Sequence, residues 1–68
     1  MKLYTVAYKR FECDSTHYAY TLANNKVEAY DKTVYETLTE LPYSAWVTGV
    51  TYKNGNYKVF NTHEGMPY

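Results

Sequence analysis

The residues with the most reactive side chains in this chain are one cysteine, two histidines and seven acidic residues. Cys13 and His17 have a spacing that suits two metal ligands in a hairpin loop, and His63 or Glu64 could join them. Two ligands at this spacing also arise by chance in loops, and a structural zinc site needs four. The pattern therefore predicts no metal site, and we expect no cofactor.

Catalysis is not favoured by the surroundings of these residues. Glu12 and Asp14 flank Cys13, and negative charges beside a thiol disfavour the thiolate that acts as a nucleophile. Glu36 and Glu40 have the spacing of one helix face, where solvent leaves no source for tuning an acid–base pair. The three glycines are isolated, so no phosphate-binding loop is present. We expect no enzyme.

Length and composition indicate one small folded domain with no net charge. The chain has 68 residues, and seven Lys and Arg balance seven Asp and Glu. Leu, Val and Phe are few and Ile is absent, but ten tyrosines bring the aromatic fraction to 19%. A tyrosine can bury its ring and keep its hydroxyl in water, so these rings can replace aliphatic core residues. Preference for a charged partner would have to come from local patches.

Stability and localisation follow from what the sequence lacks. A core of this size supplies about 3–5 kcal/mol, so small domains usually need a further stabilising device. One cysteine cannot form an internal disulfide, which leaves association, most simply as a homodimer. No apolar run has the length of a signal peptide or of a membrane span. We expect no membrane contact and a reducing cytoplasm, that of the host if a phage encodes the chain.

The first part of the chain predicts a β-hairpin. Residues 3–11 and 17–23 are rich in strand-forming residues, and the polar, turn-prone residues 12–16 separate them. In the first strand, alternation separates two faces, which carry Leu3, Thr5, Ala7 and Phe11 on one side and Tyr4, Val6 and Tyr8 on the other. The second strand groups Tyr18, Tyr20 and Leu22 on one side.

The middle of the chain predicts one helix over residues 25–41. Asn25 and Glu28 fit the capping box, in which each side chain bonds a free amide of the first turn. One apolar stripe follows at spacings of three or four, formed by Val27, Tyr30, Val34, Leu38 and Leu41. Pro42 is expected to end the helix, because proline restricts the preceding residue and has no amide hydrogen.

The last part predicts a second hairpin, with strands over 44–53 and 56–62. Asn54-Gly55 predicts a two-residue type I′ turn between them. This turn would set a register of four pairs, Tyr52 with Tyr57, Val50 with Val59, Gly49 with Phe60, and Trp46 with His63. The ring of Phe60 would then cover the backbone that Gly49 exposes.

These elements predict an α+β fold, a two-layer β-β-α-β-β domain in which one helix packs on one face of an antiparallel sheet of about four strands. The domain spans residues 1–62, and 63–68 form a flexible tail. The predicted core residues are Val27, Val34, Leu38, Val50 and Val59. We expect the uncovered sheet face to carry Val47 and Phe60 with either Tyr4 and Tyr8 or Leu3 and Phe11.

Two classes of binding function remain. The basic residues lie mainly on predicted strands, namely Lys2, Lys9, Arg10, Lys53 and Lys58, while the helix is mainly acidic. Basic residues among aromatic rings on a sheet can bind single-stranded nucleic acid by stacking and phosphate contacts. The same lysines can instead protect edge strands from pairing with other chains. Nucleic-acid binding is therefore the alternative hypothesis.

Protein binding is the preferred hypothesis, because tyrosine gives rigid contact area at low entropic cost. Two surfaces could serve. The first is an acidic helix surface of Asp31, Tyr35, Glu36 and Glu40, and the second, slightly favoured, is a hairpin surface of Lys53, Lys58 and Phe60. We expect a small non-enzymatic protein-binding module, of the kind that a bacteriophage or another mobile element uses to inhibit or redirect a host enzyme or defence complex.

Overall fold

The computed structural model describes residues 1–60, which form one antiparallel sheet and one helical element. The strands are β1 (Lys2–Lys9), β2 (His17–Ala23), β3 (Ser44–Thr51) and β4 (Tyr57–Val59), and helix α1 (Lys26–Asp31) is continued by a π-helical segment (Lys32–Thr37). The predicted α+β fold in the order β-β-α-β-β is confirmed. The predicted tail over 63–68 and the end of the second hairpin at 61–62 lie outside the described residues.

The four strands lie in the order β2-β1-β3-β4, so β1 and β3 are central and β2 and β4 are the edges. The first hairpin has the predicted alternation. Leu3 pairs with Leu22, Thr5 with Tyr20 and Ala7 with Tyr18, and paired residues share a face of the sheet. The β1 residues between them, including Tyr4 and Val6, face the helix and belong to the core.

Helix α1 begins at the predicted cap. The Asn25 side-chain oxygen accepts a hydrogen bond from the Glu28 amide at 2.8 Å, which satisfies one free donor of the first turn. The second half of the predicted capping box is absent among the described contacts of Glu28. Its carboxylate instead accepts from the Asn24 amide group at 3.2 Å and pairs with the Lys32 ammonium at 3.3 Å. The hydrogen bond from Lys32 is the main reason that the pKa of Glu28 is lowered.

The helical element ends at Thr37, four residues before the predicted end at residue 41. In its last turn the Leu38 amide donates to the Thr33 carbonyl at 3.0 Å, a bond across five residues, and Leu38 itself is extended with φ −80° and ψ 141°. A π turn holds more residues than an α turn. Leu38 therefore lies beyond the helical element, where the three- and four-residue spacing of the predicted stripe no longer applies, and Pro42 is not the residue that ends the helix.

The core lies between the helical element and one face of the sheet. Its buried members are Tyr4, Val6, Ala23, Ala29, Tyr30, Val34, Ala45, Val47 and Val50. The predictions for Val34 and Val50 are confirmed. Those for Val27 and Val59 are wrong, because these side chains are 63% and 62% exposed, and Leu38 is only half-buried.

Small residues explain why the helix turns Val27 away from the core. Ala29 and Thr33 are fully buried, so the helix contacts the sheet with a stripe that includes these two positions beside Tyr30 and Val34. The short side chains allow close approach to the sheet, and dense packing is then possible without the larger residues of the predicted stripe. The Thr33 hydroxyl has no hydrogen-bond partner within the described part of the chain.

The turn of the second hairpin lies at the predicted place but is one residue longer than predicted. The Gly55 amide donates to the Tyr52 carbonyl at 2.9 Å and the Tyr52 amide to the Asn56 carbonyl at 2.8 Å, which encloses a three-residue loop. Gly55 has φ +90°, and no other described residue has a positive φ, so Asn54 cannot occupy a type I′ turn.

This longer loop shifts the register of β4 by one residue. Gly49 pairs with Val59, Val50 with Lys58 and Thr51 with Tyr57. Because side chains alternate between faces, a shift of one residue moves each β4 side chain to the opposite face. Val59 is therefore outside the core. The predicted pairs between 49 and 60, 50 and 59, and 52 and 57 are wrong, and the pair of Trp46 with His63 lies outside the described residues.

Strand β3 contains a bulge that the sequence pattern did not reveal. Thr5 of β1 pairs with Gly49, but the next residue, Val6, pairs with Val47, so Thr48 is an additional residue. Val47 and Val50 therefore both face the helix although they are three residues apart. Regular alternation back from Val50 predicts Val47 on the uncovered face, and that prediction is wrong.

Candidate functional site

Cys13 and His17, the two residues considered above as metal ligands, have different surroundings in the structure. Cys13 is exposed, and the His17 ring nitrogen Nε2 lies 2.9 Å from Oδ2 of Asp14. Among residues 1–60, no group of three His, Cys, Asp or Glu side chains is arranged to hold a metal ion. His63 and Glu64 lie outside the described residues.

Asp14 organises the β1–β2 loop, a role that was not predicted. Its carboxylate accepts hydrogen bonds from the Arg10 side chain at 3.0 Å and from the Ser15 amide at 2.9 Å, besides the contact with His17. The Arg10 hydrogen bond is the main reason that the pKa of Asp14 lies well below its usual range. The contacts with Arg10, Ser15 and His17 converge on one carboxylate and thereby fix the loop. The spacing of Arg10, Asp14 and His17 could have indicated it.

Only three of the four residues predicted to form the acidic helix surface lie on the helical element. Asp31, Tyr35 and Glu36 are exposed on the helical element, with Tyr35 65% exposed. Glu40 lies beyond the helix, where it lines a depression of about 250 Å³ together with Arg10. Glu36 and Glu40 therefore do not share a helix face, and the early end of the helix is the reason.

The hairpin surface is also different from the prediction. Phe60 is half-buried against the core, and the Lys26 ammonium lies 4.4 Å from the centre of its ring. Lys58 pairs with Val50 and thus lies on the helix side of β4, and Lys53 is exposed in the turn. Phe60 therefore belongs to the helix side of the molecule and not to the uncovered face.

Tyr57, not Phe60, lies over Gly49. A Cβ atom at Gly49 would lie 2.6 Å from Cζ of Tyr57, closer still to its hydroxyl, and 2.7 Å from the Lys58 carbonyl oxygen. Carbon atoms do not approach other groups this closely, so any larger residue at this position would have to displace the Tyr57 ring and the β4 backbone. The predicted arrangement of a ring over Gly49 exists, but the shifted register supplies a different ring.

The face of the sheet that the helix does not cover, here called the open face, is defined by strand register. It carries Leu3, Thr5, Ala7, Tyr18, Tyr20, Leu22, Trp46, Gly49, Thr51, Tyr57 and Val59. Of the two predicted alternatives, the Leu3 side is therefore open and the Tyr4 side is covered, while Phe11 is exposed beyond the end of β1.

Small residues form the floor of the open face and large rings stand on both sides. Thr5 and Ala7, on the central strand β1, are buried. Tyr18 and Tyr20 on β2 are 59% and 66% exposed, and Tyr57 on β4 is 50% exposed. The difference in side-chain size creates a shallow trough between the two edge strands.

The trough has a volume of about 430 Å³ and is lined by Thr5, Tyr18, Tyr20, Thr48, Thr51 and Tyr57. Each lining side chain carries a hydroxyl and none carries a formal charge. The Thr48 hydroxyl already donates to the Thr5 carbonyl at 3.2 Å. Such a surface can offer apolar contact and hydrogen bonds.

The binding residues predicted from the sequence do not include the rings of this trough. The signal was present in β2, where Tyr18, Tyr20 and Leu22 alternate in a strand without a charged residue. Tyr57 could not be placed from the sequence, because its face depends on the length of the second hairpin loop.

Comparison with protein-family models, curated proteins and solved structures finds no match to this chain. Within residues 1–60, no helix has the length and apolar character needed to cross a membrane.

Proposed function

We propose that this chain is a small non-enzymatic protein-binding module whose partner docks on the open face. The observation that carries the proposal is the group of exposed rings, Tyr18, Tyr20 and Tyr57, around a floor of small residues. Tyrosine is enriched in binding surfaces because its ring is large and rigid and its hydroxyl tolerates water before binding. None of these rings belongs to the hydrophobic core, which lies on the other face of the sheet.

The partner surface is apolar and uncharged, with side chains that project into the trough. Its lining carries no charge to pair with a charged partner. The three tyrosines expose on the order of 350 Å² of side chain, since an aromatic residue buries about 150–250 Å² when fully covered. A partner that fills the trough would cover part of this area on both sides of it.

Nucleic acid fits the open face less well, because most lysines are elsewhere. Lys58 lies on the helix side, the Lys26 ammonium covers the Phe60 ring, and the Lys2 ammonium lies 5.6 Å from the centre of the Tyr52 ring. Lys9, at the end of β1, is the one lysine of the described chain that strand alternation places on the open face. The rings of the open face are therefore largely separated from the cations, whereas nucleic-acid binding needs rings and cations together.

Single-stranded nucleic acid remains the second candidate because of one groove on the helix side. Lys2, Lys26, Tyr52 and Phe60 line it together with the start of α1. Binding there would require the ammonium groups to leave the ring faces before bases could stack. This cost makes the groove the weaker candidate.

The test compares affinity capture from a cell extract by the parent chain and two variants. The double variant Tyr18→Ala/Tyr20→Ala removes the β2 side of the trough, and Tyr35→Ala removes an equally exposed ring outside it. We expect a protein that the parent and Tyr35→Ala retain and the double variant loses. Equal retention by all three chains would contradict the proposal, provided that circular dichroism shows each chain folded.

A labelled single-stranded oligonucleotide tests the second candidate. Binding at about 50 mM salt that falls steeply as salt rises, and that Lys2→Ala/Lys26→Ala abolishes, would replace the protein-binding proposal with nucleic-acid binding. Retention of such binding by the double tyrosine variant would locate it in the helix-side groove.

The setting we propose is a reducing cytoplasm. Cys13 is exposed and unpaired, a state that persists where thiols are kept reduced. Encoding by a bacteriophage, with a host enzyme or defence complex as the partner, stays a prediction.

A further inference from the structure

One edge strand of the sheet contains, within its own sequence, none of the residues that usually protect against pairing with another chain. Strand β2 has seven residues, HYAYTLA, with no proline and no lysine, arginine, aspartate or glutamate. Edge strands are commonly short or carry lysine, proline or a bulge, because their free backbone groups can pair with any other strand. The opposite edge, β4, follows this rule, since it has three residues and Lys58 at its centre.

Hydrogen bonds of β1 show which backbone groups of β2 point outwards. The Lys9 carbonyl accepts from the Tyr43 amide at 2.8 Å, and the Thr5 carbonyl accepts from the Thr48 hydroxyl at 3.2 Å. Both donors lie on the β3 side of β1. Backbone groups alternate in direction along a strand, so the odd-numbered residues of β1 face β3 and the even-numbered ones face β2.

The partners of the even-numbered β1 residues are the odd-numbered residues of β2. The N–H and C=O groups of Tyr18, Tyr20 and Leu22 therefore point away from the sheet. The Lys32 ammonium confirms this direction, because it donates to the Leu22 carbonyl from outside the β1–β2 pair at 3.0 Å. Within residues 1–60, this is the single hydrogen bond recorded for the outward backbone groups of the three residues.

We propose that β2 pairs antiparallel with β2 of a second copy, around a two-fold axis at Tyr20. Tyr20 then faces its own counterpart, and Tyr18 faces Leu22 on both sides of the axis, so that each of the three residue pairs exchanges two hydrogen bonds. This register uses all the outward groups. Leu22 can keep its bond from Lys32, because a carbonyl oxygen has a second lone pair for the amide of Tyr18.

A second copy fits this edge for two reasons. An antiparallel pair of identical strands is self-complementary about a two-fold axis, and β2 has no charged side chain that would meet its own like charge there. A domain of 68 residues without a disulfide also gains from association. The pairing joins two four-stranded sheets into one and places the Tyr20 rings of both copies side by side on a continuous open face.

This inference does not depend on the partner proposed for the open face, since it uses the edge and not the face of the sheet. Amide hydrogen exchange tests it without any substitution. We expect the amides of Tyr18, Tyr20 and Leu22 to become at least about tenfold more protected as the protein concentration rises from about 1 to about 100 µM. The outward amide of Tyr57 on β4 is the internal reference and should not change. Fast, concentration-independent exchange at all three β2 amides would overturn the proposal.

A matched pair of variants separates edge pairing from stacking of two open faces. Tyr20→Lys places two like charges directly opposite each other at the axis, and Tyr57→Lys makes the same change on the same face but far from the axis. In sedimentation equilibrium at about 100 µM, we expect dimers for the parent and for Tyr57→Lys and at least about tenfold weaker association for Tyr20→Lys. A monomeric parent, a Tyr20→Lys variant that associates as tightly as the parent, or equal loss in both variants would each contradict pairing through β2.

Discussion

The two faces of the sheet bury different kinds of residue. On the helix side, Val6, Val47 and Val50 are buried because the helical element covers them. On the open face the buried residues are small, such as Ala7, and the larger Tyr20 is exposed. Apolar character alone therefore does not decide which residue is buried in this protein.

The two faces differ because the helical element packs on one of them and leaves the other in contact with solvent. The helix supplies cover on one side, so large residues there gain from leaving water. On the open face, Tyr18 of β2 and Trp46 of β3 flank the buried Ala7. Tyr57 of β4 lies over Gly49, but the exposed edge-strand rings have no cover of their own. The open face therefore leaves ring area exposed to solvent while its central residues are buried.

The largest expected effect compares one valine from each face. Val6→Ala removes two methyl groups from a fully buried site and should cost about 2–3 kcal/mol of unfolding free energy. Val59→Ala, at an exposed site on the open face, should cost less than about 0.5 kcal/mol. Urea denaturation followed by circular dichroism measures both. Equal costs would show that the open face is covered in solution.

The next effect concerns the contact between Tyr57 and Gly49. Gly49→Ala should destabilise the chain by about 1–3 kcal/mol, because the added methyl group cannot fit beneath the ring and beside the Lys58 carbonyl. Adding Tyr57→Ala should restore part of the loss, since the ring is gone but the carbonyl remains. A double-mutant cycle by urea denaturation gives the coupling, and strictly additive effects would contradict the ring contact.

A smaller effect, of opposite sign, is expected on the covered face. Thr33→Val replaces a buried hydroxyl without a partner by a methyl group of similar shape, so it should raise stability by about 1 kcal/mol. Thr39→Val at an exposed site is the control and should change little. A loss of stability in Thr33→Val alone would mean that the hydroxyl has a partner in solution.

The smallest effect is expected for Asp14, which lies in the β1–β2 loop at the end of the sheet and on neither of its faces. The pKa of Asp14 is lower in the folded chain than in the unfolded one, so its ionised form stabilises the fold above about pH 4, and this contribution is lost as the pH falls through the folded value. Urea midpoints between neutral pH and about pH 2 should therefore fall less steeply in Asp14→Asn. The pKa of Glu28 is also lowered in the folded chain, so the urea midpoint of Asp14→Asn should still fall to some extent with decreasing pH. Identical slopes would exclude the Asp14 contribution.

Local signals in the sequence predicted a large part of the fold. The Asn25 cap, the first hairpin and the position of the second turn each depend on a few neighbouring residues whose hydrogen bonds are made within the same segment. Such features can be read from the sequence because distant parts of the chain do not have to be known.

The errors arose where a local pattern allows two outcomes. Asn54-Gly55 fits a two-residue and a three-residue loop, and that choice decides the face of Tyr57. The π turn near Thr33 and the bulge at Thr48 are responses to packing and leave no clear pattern in the sequence. The longer hairpin loop and the bulge at Thr48 change which side chains of β3 and β4 share a face. For this reason the predicted hairpin surface around Phe60 does not exist as predicted, and the trough of the open face was not predicted.

The single tryptophan of the chain gives the open face an optical reporter. Trp46 pairs with Ala7 on the floor strand and is half-buried, on the same face as Tyr18. Indole emission shifts with the polarity of its surroundings, and excited tyrosines pass energy to a nearby tryptophan. A docked protein would therefore change both the emission wavelength of Trp46 and the transfer from neighbouring rings, so occupancy of the trough can be followed in unlabelled protein.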